Sequence, residues 1–125
     1  MSFDWNLYIA LADELILTNP NEAKLRCATS RAYYGAFIPC RNFREYTKNE
    51  KDVHQKVIND FKRSDSRKGV SLGNFLDSLR NKRNDADYDG YYKPKLDETK
   101  KHISAANSIL SLLETVKEEG IGFGK

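Results

Sequence analysis

Apolar residues return at intervals of three and four along most of this chain, and nowhere do apolar and polar residues alternate at a period of two. A helix brings such residues onto one face, whereas a strand needs the two-residue period, so the pattern predicts helices and no sheet. Between residues 3 and 17 the inward set is Trp5, Tyr8, Ile9, Ala12, Leu15 and Ile16, with Ser2 as the expected N-cap. Thr18-Asn19-Pro20 ends that helix, and Asn21 caps a second with Glu22 in its first turn. Leu25, Ala28, Ala32, Ala36 and Phe43 face inward there, and the small residues among them allow a close neighbour. Pro39 removes a hydrogen bond inside this helix, so a kink is expected near residues 35–39, helped by Gly35.

The polar run from Lys48 to Asp52 reads as a connection, and Val53, Val57, Ile58 and Phe61 mark a shorter helix that His54 begins. Arg63 to Gly69 has no apolar period and reads as an exposed loop. Ser71 is the expected cap of the next helix, which carries Leu72, Phe75, Leu76 and Leu79 and stops at Asp89-Gly90. After Tyr91-Tyr92-Lys93-Pro94, a last helix over 95–118 places Leu96, Thr99, Ile103, Ala106, Leu113 and Val116 inward, with Ile109 or Leu110. The expected architecture is an all-α, up-and-down helical bundle of about five helices, one domain over 1–118 with a flexible Gly-rich tail at 119–125. The long second and fourth helices and the last one form its core, with the short helix across them.

At 125 residues one core suffices. No apolar run approaches the length of a membrane span, and Met1-Ser2-Phe3-Asp4 lacks the basic and apolar regions of a secretory signal, so a cytoplasmic location is expected. Cys27 and Cys40 lie thirteen residues apart in one helix and point well apart, which argues against a disulfide. Two histidines and no Cys-x-x-Cys give no zinc spacing, and no metal or cofactor is expected. The net charge of +3 is modest but uneven: residues 41–83 hold twelve Lys/Arg against six Asp/Glu. Such an asymmetry suits either a solvated surface or attraction to a phosphate backbone.

The basic part ends in Leu79-Arg80-Asn81-Lys82-Arg83-Asn84-Asp85-Ala86-Asp87-Tyr88-Asp89-Gly90. Helical spacing puts Arg80, Arg83, Asn84 and Asp87 on one side, as a solvated stripe with an Arg83–Asp87 ion pair or as a binding edge. His54 reads as a helix-capping residue or an accessory acid/base, His102, beside Lys100 and Lys101, as a surface residue. Tyr33 and Tyr34 read as core, with the Tyr34 hydroxyl able to reach the stripe; Arg31 is expected to reach it too or to pair with Asp87.

Three segments in order carry a resemblance. Ser30-Arg31-Ala32-Tyr33-Tyr34-Gly35-Ala36-Phe37 resembles the S-R-A-Y-Y-x-A-F segment of HEPN-domain proteins. His54-Gln55-Lys56-Val57-Ile58 is similar to their H-x-x-V-I turn, and Leu79–Asp89 to their L-R-x-x-R-x-x-A-D-Y-D ending. The resemblance spans residues 5–115 and implies a helical bundle that dimerises about a two-fold axis, uniting two copies of a polar motif. It further implies a metal-independent endoribonuclease of a prokaryotic toxin–antitoxin or defence system. The family's usual Arg followed after four to six residues by His is broken here, since Arg83 leads to Tyr88 and Arg80 to Asp87.

On this resemblance Arg83, Asp87 and Tyr88 are the candidate catalytic residues, Arg80, Asn84 and Arg31 contact RNA or phosphate, and His54 and Tyr34 are accessory. Cleavage without metal needs a base for the 2′-hydroxyl, a cation for the phosphorane and an acid for the leaving oxygen; Arg83 supplies only the cation. The alternative is a catalytically inactive interaction module that binds a nucleotidyltransferase, with Tyr88, Tyr91 or Tyr92 as the residue modified by that partner.

Overall fold

A computed structural model describes residues 2–123 as five α-helices, with no strand among the described residues. They are α1 (Asn6–Leu17), α2 (Glu22–Phe43), α3 (Val53–Lys62), α4 (Arg67–Tyr88) and α5 (Leu96–Glu119). The chain is an all-α helical bundle. The three long helices α2, α4 and α5 pack on one another, α3 lies against α4 and touches α2, and α1 lies along α2 with an edge on α5. The core they enclose is built from Tyr33, Phe37, Phe61, Leu72, Leu76, Ile109 and Leu113, all essentially inaccessible to water. No helix among the described residues is long and apolar enough to cross a membrane.

Local chemistry accounts for most boundaries. Asn21 caps α2 as expected, accepting at Oδ1 from the Lys24 backbone N–H at 2.9 Å. Gly120, in the left-handed region at φ 61°, ends α5 and donates its N–H to the Val116 carbonyl. Asp4, rather than Ser2, serves the start of α1, accepting from the Asn6 N–H at 3.0 Å. α4 begins five residues before the expected Ser71: Ser66 is its cap and accepts from the Lys68 N–H. Residues Arg67–Gly69 are therefore helix, and a Cβ at Gly69 would overlap Ser64 and Ile121. α2 runs unbroken through Pro39, and Gly35 serves close approach, since a Cβ there would stand 2.7 Å from Ile9 Cγ1 on α1.

The segment expected to be flexible is docked as far as Phe123; Gly124 and Lys125 lie outside the described residues. The Gly122 carbonyl accepts from the Asp65 N–H, and the Phe123 ring packs edge-on against Phe43 and Phe61 beneath the Arg44 guanidinium. Cys27 is exposed, Cys40 is buried, and both are free thiols.

α3 is seated by backbone proximity as well as by side chains. A Cβ on Gly73 of α4 would stand 2.8 Å from the Lys62 backbone nitrogen and 3.2 Å from the Ile58 carbonyl oxygen. Neither is the end of a flexible side chain that can move aside. Gly73→Ala is therefore expected to destabilise the fold by about 1–3 kcal/mol, despite the better helix propensity of alanine, as a lowered urea midpoint.

Candidate functional site

The inward edge of α2 repeats Ser30, Tyr33, Tyr34 and Phe37 at helical spacing, and α3 and α4 bring His54, Arg80, Arg83 and Asp87 against that edge. Arg83 is the centre of this cluster. Only 5% of the residue is exposed, and its guanidinium carbon lies 5.3 Å from the Tyr33 ring centroid, 5.2 Å from Tyr34 and 5.7 Å from Tyr88. Aromatic faces are attractive to a delocalised cation, but they do not replace its hydration. Its polar contacts are long: 3.7 Å from Nη1 to Asp87 Oδ2 and 3.5 Å from Nη1 to the Tyr88 hydroxyl. The Nε atoms of Arg83 and Arg80 are buried with no hydrogen-bond partner among the described residues. Arg80 otherwise donates from Nη1 to Gln55 Oε1 at 3.2 Å.

Asp87 is tied back to α2, where Ser30 Oγ donates to its Oδ2 at 3.1 Å. Arg31 does not take that place; it lies over Tyr8 at 4.7 Å and Tyr34 at 5.5 Å and donates weakly to Ser30. Asn84 is half-buried and makes no side-chain hydrogen bond among the described residues. Tyr34 contributes its ring, edge-on to Tyr33, while the hydroxyl that engages the cluster belongs to Tyr33.

His54 stacks on Phe37 with centroids 4.1 Å apart, and its Nδ1 is 2.6 Å from the Tyr33 hydroxyl. Burial first, then the positive charges of Arg80, Arg83 and Arg41, lower its pKa to about 4, so the ring is neutral at pH 7. Burial likewise pushes the Tyr33 phenol far above its ordinary value, with Arg80 and Arg83 opposing the shift. The sign of the His54 shift sets a pH dependence. Between about 4 and the unfolded value of 6.5 the unfolded chain binds the extra proton, so stability falls as pH drops through that window. Urea midpoints are expected to be lower at pH 5 than at pH 7, and His54→Gln to flatten the difference.

His102, expected on the surface, is buried, with Nδ1 2.8 Å from Thr29 Oγ1. It sits three residues after Thr99 and four before Ala106, on the α5 face turned to α2, and its pKa is lowered by burial and then by Lys82. Of the three tyrosines singled out for modification, Tyr88 and Tyr91 are 77% and 94% exposed, whereas the Tyr92 hydroxyl is buried and has no hydrogen-bond partner among the described residues. Tyr92 lies under Arg26, a residue the helical pattern did not single out. Arg26 donates from Nη1 to the Ala86 carbonyl at 2.9 Å and from Nη2 to the Tyr92 carbonyl at 2.6 Å, closing the end of α4. Arg26→Ala is expected to cost about 1.5–3 kcal/mol in chemical denaturation, because it strips a charged donor from half-buried carbonyls.

Among the described residues no three His, Cys, Asp or Glu side chains are grouped as metal ligands. An open groove of about 850 Å³ between α1, α2 and α5, bordered by Trp5, Asn42, Phe43, Asn107 and Lys117, lies apart from the cluster. The cluster offers cationic donors in a dry aromatic setting, one carboxylate beside them and a neutral imidazole. That set can bind an oxyanion and move a proton at its edge. Compared with known proteins, the chain matches no family model, no curated protein and no solved structure.

Proposed function

We propose that this chain is a HEPN-like, RNA-directed protein that binds a phosphodiester at the Arg80–Arg83 cluster and cleaves it without a metal ion, acting as a homodimer. The observation that carries this reading is the pair of buried Nε–H groups, on arginines three residues apart in α4, that have no hydrogen-bond partner among the described residues. Arg83 is buried with only a 3.7 Å contact to the Asp87 carboxylate, which leaves its charge poorly compensated, and a phosphate offers oxygens to both guanidinium groups at once. In the cleavage step the Asp87 carboxylate takes the 2′-hydroxyl proton and the 2′-oxygen forms a bond to phosphorus. The 5′-oxygen leaves with a proton from water, the hydroxide so formed takes the proton held by Asp87, and the products are a 2′,3′-cyclic phosphate and a free 5′-hydroxyl. Arg80 and Arg83 stabilise the charge gathering on the phosphorane, and Tyr88, exposed above Arg83, swings aside to admit the strand. A two-fold pairing is supported by the apolar side of α1, where Leu7 and Leu11 are exposed, together with Phe3 just before the helix. The test is incubation of the chain, its solution mass measured beforehand, with labelled RNA in EDTA. Products with cyclic phosphate ends, lost in Asp87→Ala, support the reading; intact RNA with a folded dimer overturns the catalytic part.

A specific observation favours a second reading, an inactive module of a toxin–antitoxin or defence pair that docks a nucleotidyltransferase. Tyr88, beside Arg83, and Tyr91, three residues on, are exposed and accessible to a modifying enzyme, while Arg83 itself is buried. Mass spectrometry after co-expression with such an enzyme reads it directly, as added nucleotide on Tyr88 or Tyr91.

A further inference from the structure

Tyr33 is wholly buried, and its hydroxyl has one hydrogen-bond partner among the described residues, Nδ1 of His54 at 2.6 Å. A phenol carries one hydrogen, and a buried hydroxyl hydrogen without an acceptor is costly. The hydrogen therefore points to Nδ1, which must offer its lone pair, and the neutral ring keeps its own hydrogen on Nε2. Phe37, parallel to the imidazole at 4.1 Å, fixes the plane in which that N–H points. Nε2 makes no hydrogen bond among the described residues, and the ring stands within the field of Arg80 and Arg83 from α4 and Arg41 from α2.

We propose that Tyr33 is a positioning residue that holds His54 as the Nε2–H tautomer, making His54 a third donor, beside Arg80 and Arg83, to the phosphoryl oxygen of a bound RNA. This rests on the phosphate-binding reading above. His54 then acts as a neutral donor and not as the base, the role to which Asp87 is assigned. Tyr33 never meets the substrate; it acts through the ring it orients. An imidazole with the opposite tautomer turns a lone pair towards the phosphate and repels it. The groups facing His54 are Tyr33, Tyr34 and Arg41 from α2 and Arg80 and Arg83 from α4, with Gln55 beside it on α3.

The test is the nitrogen-15 spectrum of the two histidine rings in the full chain at pH 7, without RNA, in wild type, Tyr33→Phe and, as a control, Tyr34→Phe. Expected are Nε2–H for His54 in wild type and Tyr34→Phe, and a shift towards Nδ1–H in Tyr33→Phe, with His102 unchanged. RNA affinity is expected to fall about tenfold in Tyr33→Phe, an effect of about 1.4 kcal/mol. A His54 found as Nδ1–H in wild type, or unmoved by Tyr33→Phe, overturns the assignment. Should Tyr33→Phe not fold, the wild-type spectrum alone decides. If the tautomer and its response are as stated but RNA binding is the same in Arg83→Ala, the phosphate reading and with it the donor role of His54 fail, while the control of the His54 tautomer by Tyr33 stands.

Discussion

Arg83→Ala is expected to lower RNA cleavage in EDTA by about a hundred- to a thousandfold, the usual effect of removing one preorganised donor from a developing oxyanion. The guanidinium sits among the rings of Tyr33, Tyr34 and Tyr88, and its Nε has no hydrogen-bond partner among the described residues. Water screens little there, so a charge interaction is worth more than at the surface. Arg83→Lys is expected to recover little, because an ammonium neither stacks between rings nor offers the planar fork that meets two oxygens. The urea midpoint of each variant separates lost chemistry from lost fold. Cleavage at the wild-type rate by a folded Arg83→Ala protein contradicts the assignment.

Phe37→Ala is expected to cost about 3–5 kcal/mol, a large part of the stability of a domain this size. The Phe37 ring is 2% exposed and lies parallel to both Tyr33 and His54. Its removal leaves a hole where α2 meets α3 and admits water to the imidazole. Since burial is the leading cause of the low His54 pKa, that pKa is expected to rise from about 4 towards the ordinary 6.5. Urea unfolding measures the first effect and an NMR titration of the ring the second. Phe37→Leu keeps much of the volume and is expected to lose less. A loss below about 1 kcal/mol for Phe37→Ala would contradict the packing described.

The helices were legible because their signals are local. Asn21, the run of small residues through Ala36, and Asp89-Gly90 act within a turn or two, and each marks what the sequence says it marks. The start of α4 was not, because Arg67, Lys68 and Gly69 look like loop residues until the tail returns; Ile121 packing on Gly69 is a contact across the chain. His102 was misplaced by its lysine neighbours, although its spacing from Thr99 and Ala106 carried the opposite signal. Arg26 reads locally as the partner of Glu22, and its bonds to Ala86 and Tyr92 span at least 60 residues. The Tyr33–His54 bond requires knowing that α3 lies over the middle of α2. Within α4 the period of 3.6 gathers Arg80, Arg83 and Asp87, but it cannot say that Tyr33 and Tyr34 cover Arg83.

On the function proposed, RNA phosphate meets the Nε–H groups of Arg80 and Arg83. The arginine Nε–H resonances of the full chain in EDTA, followed during titration with a short single-stranded RNA, read this most directly. The signals of Arg80 and Arg83 are expected to move together and saturate, while that of Arg26, paired with Glu22 in the fold, stays in place. Saturable RNA binding that leaves the Arg80 and Arg83 signals unmoved would contradict the account.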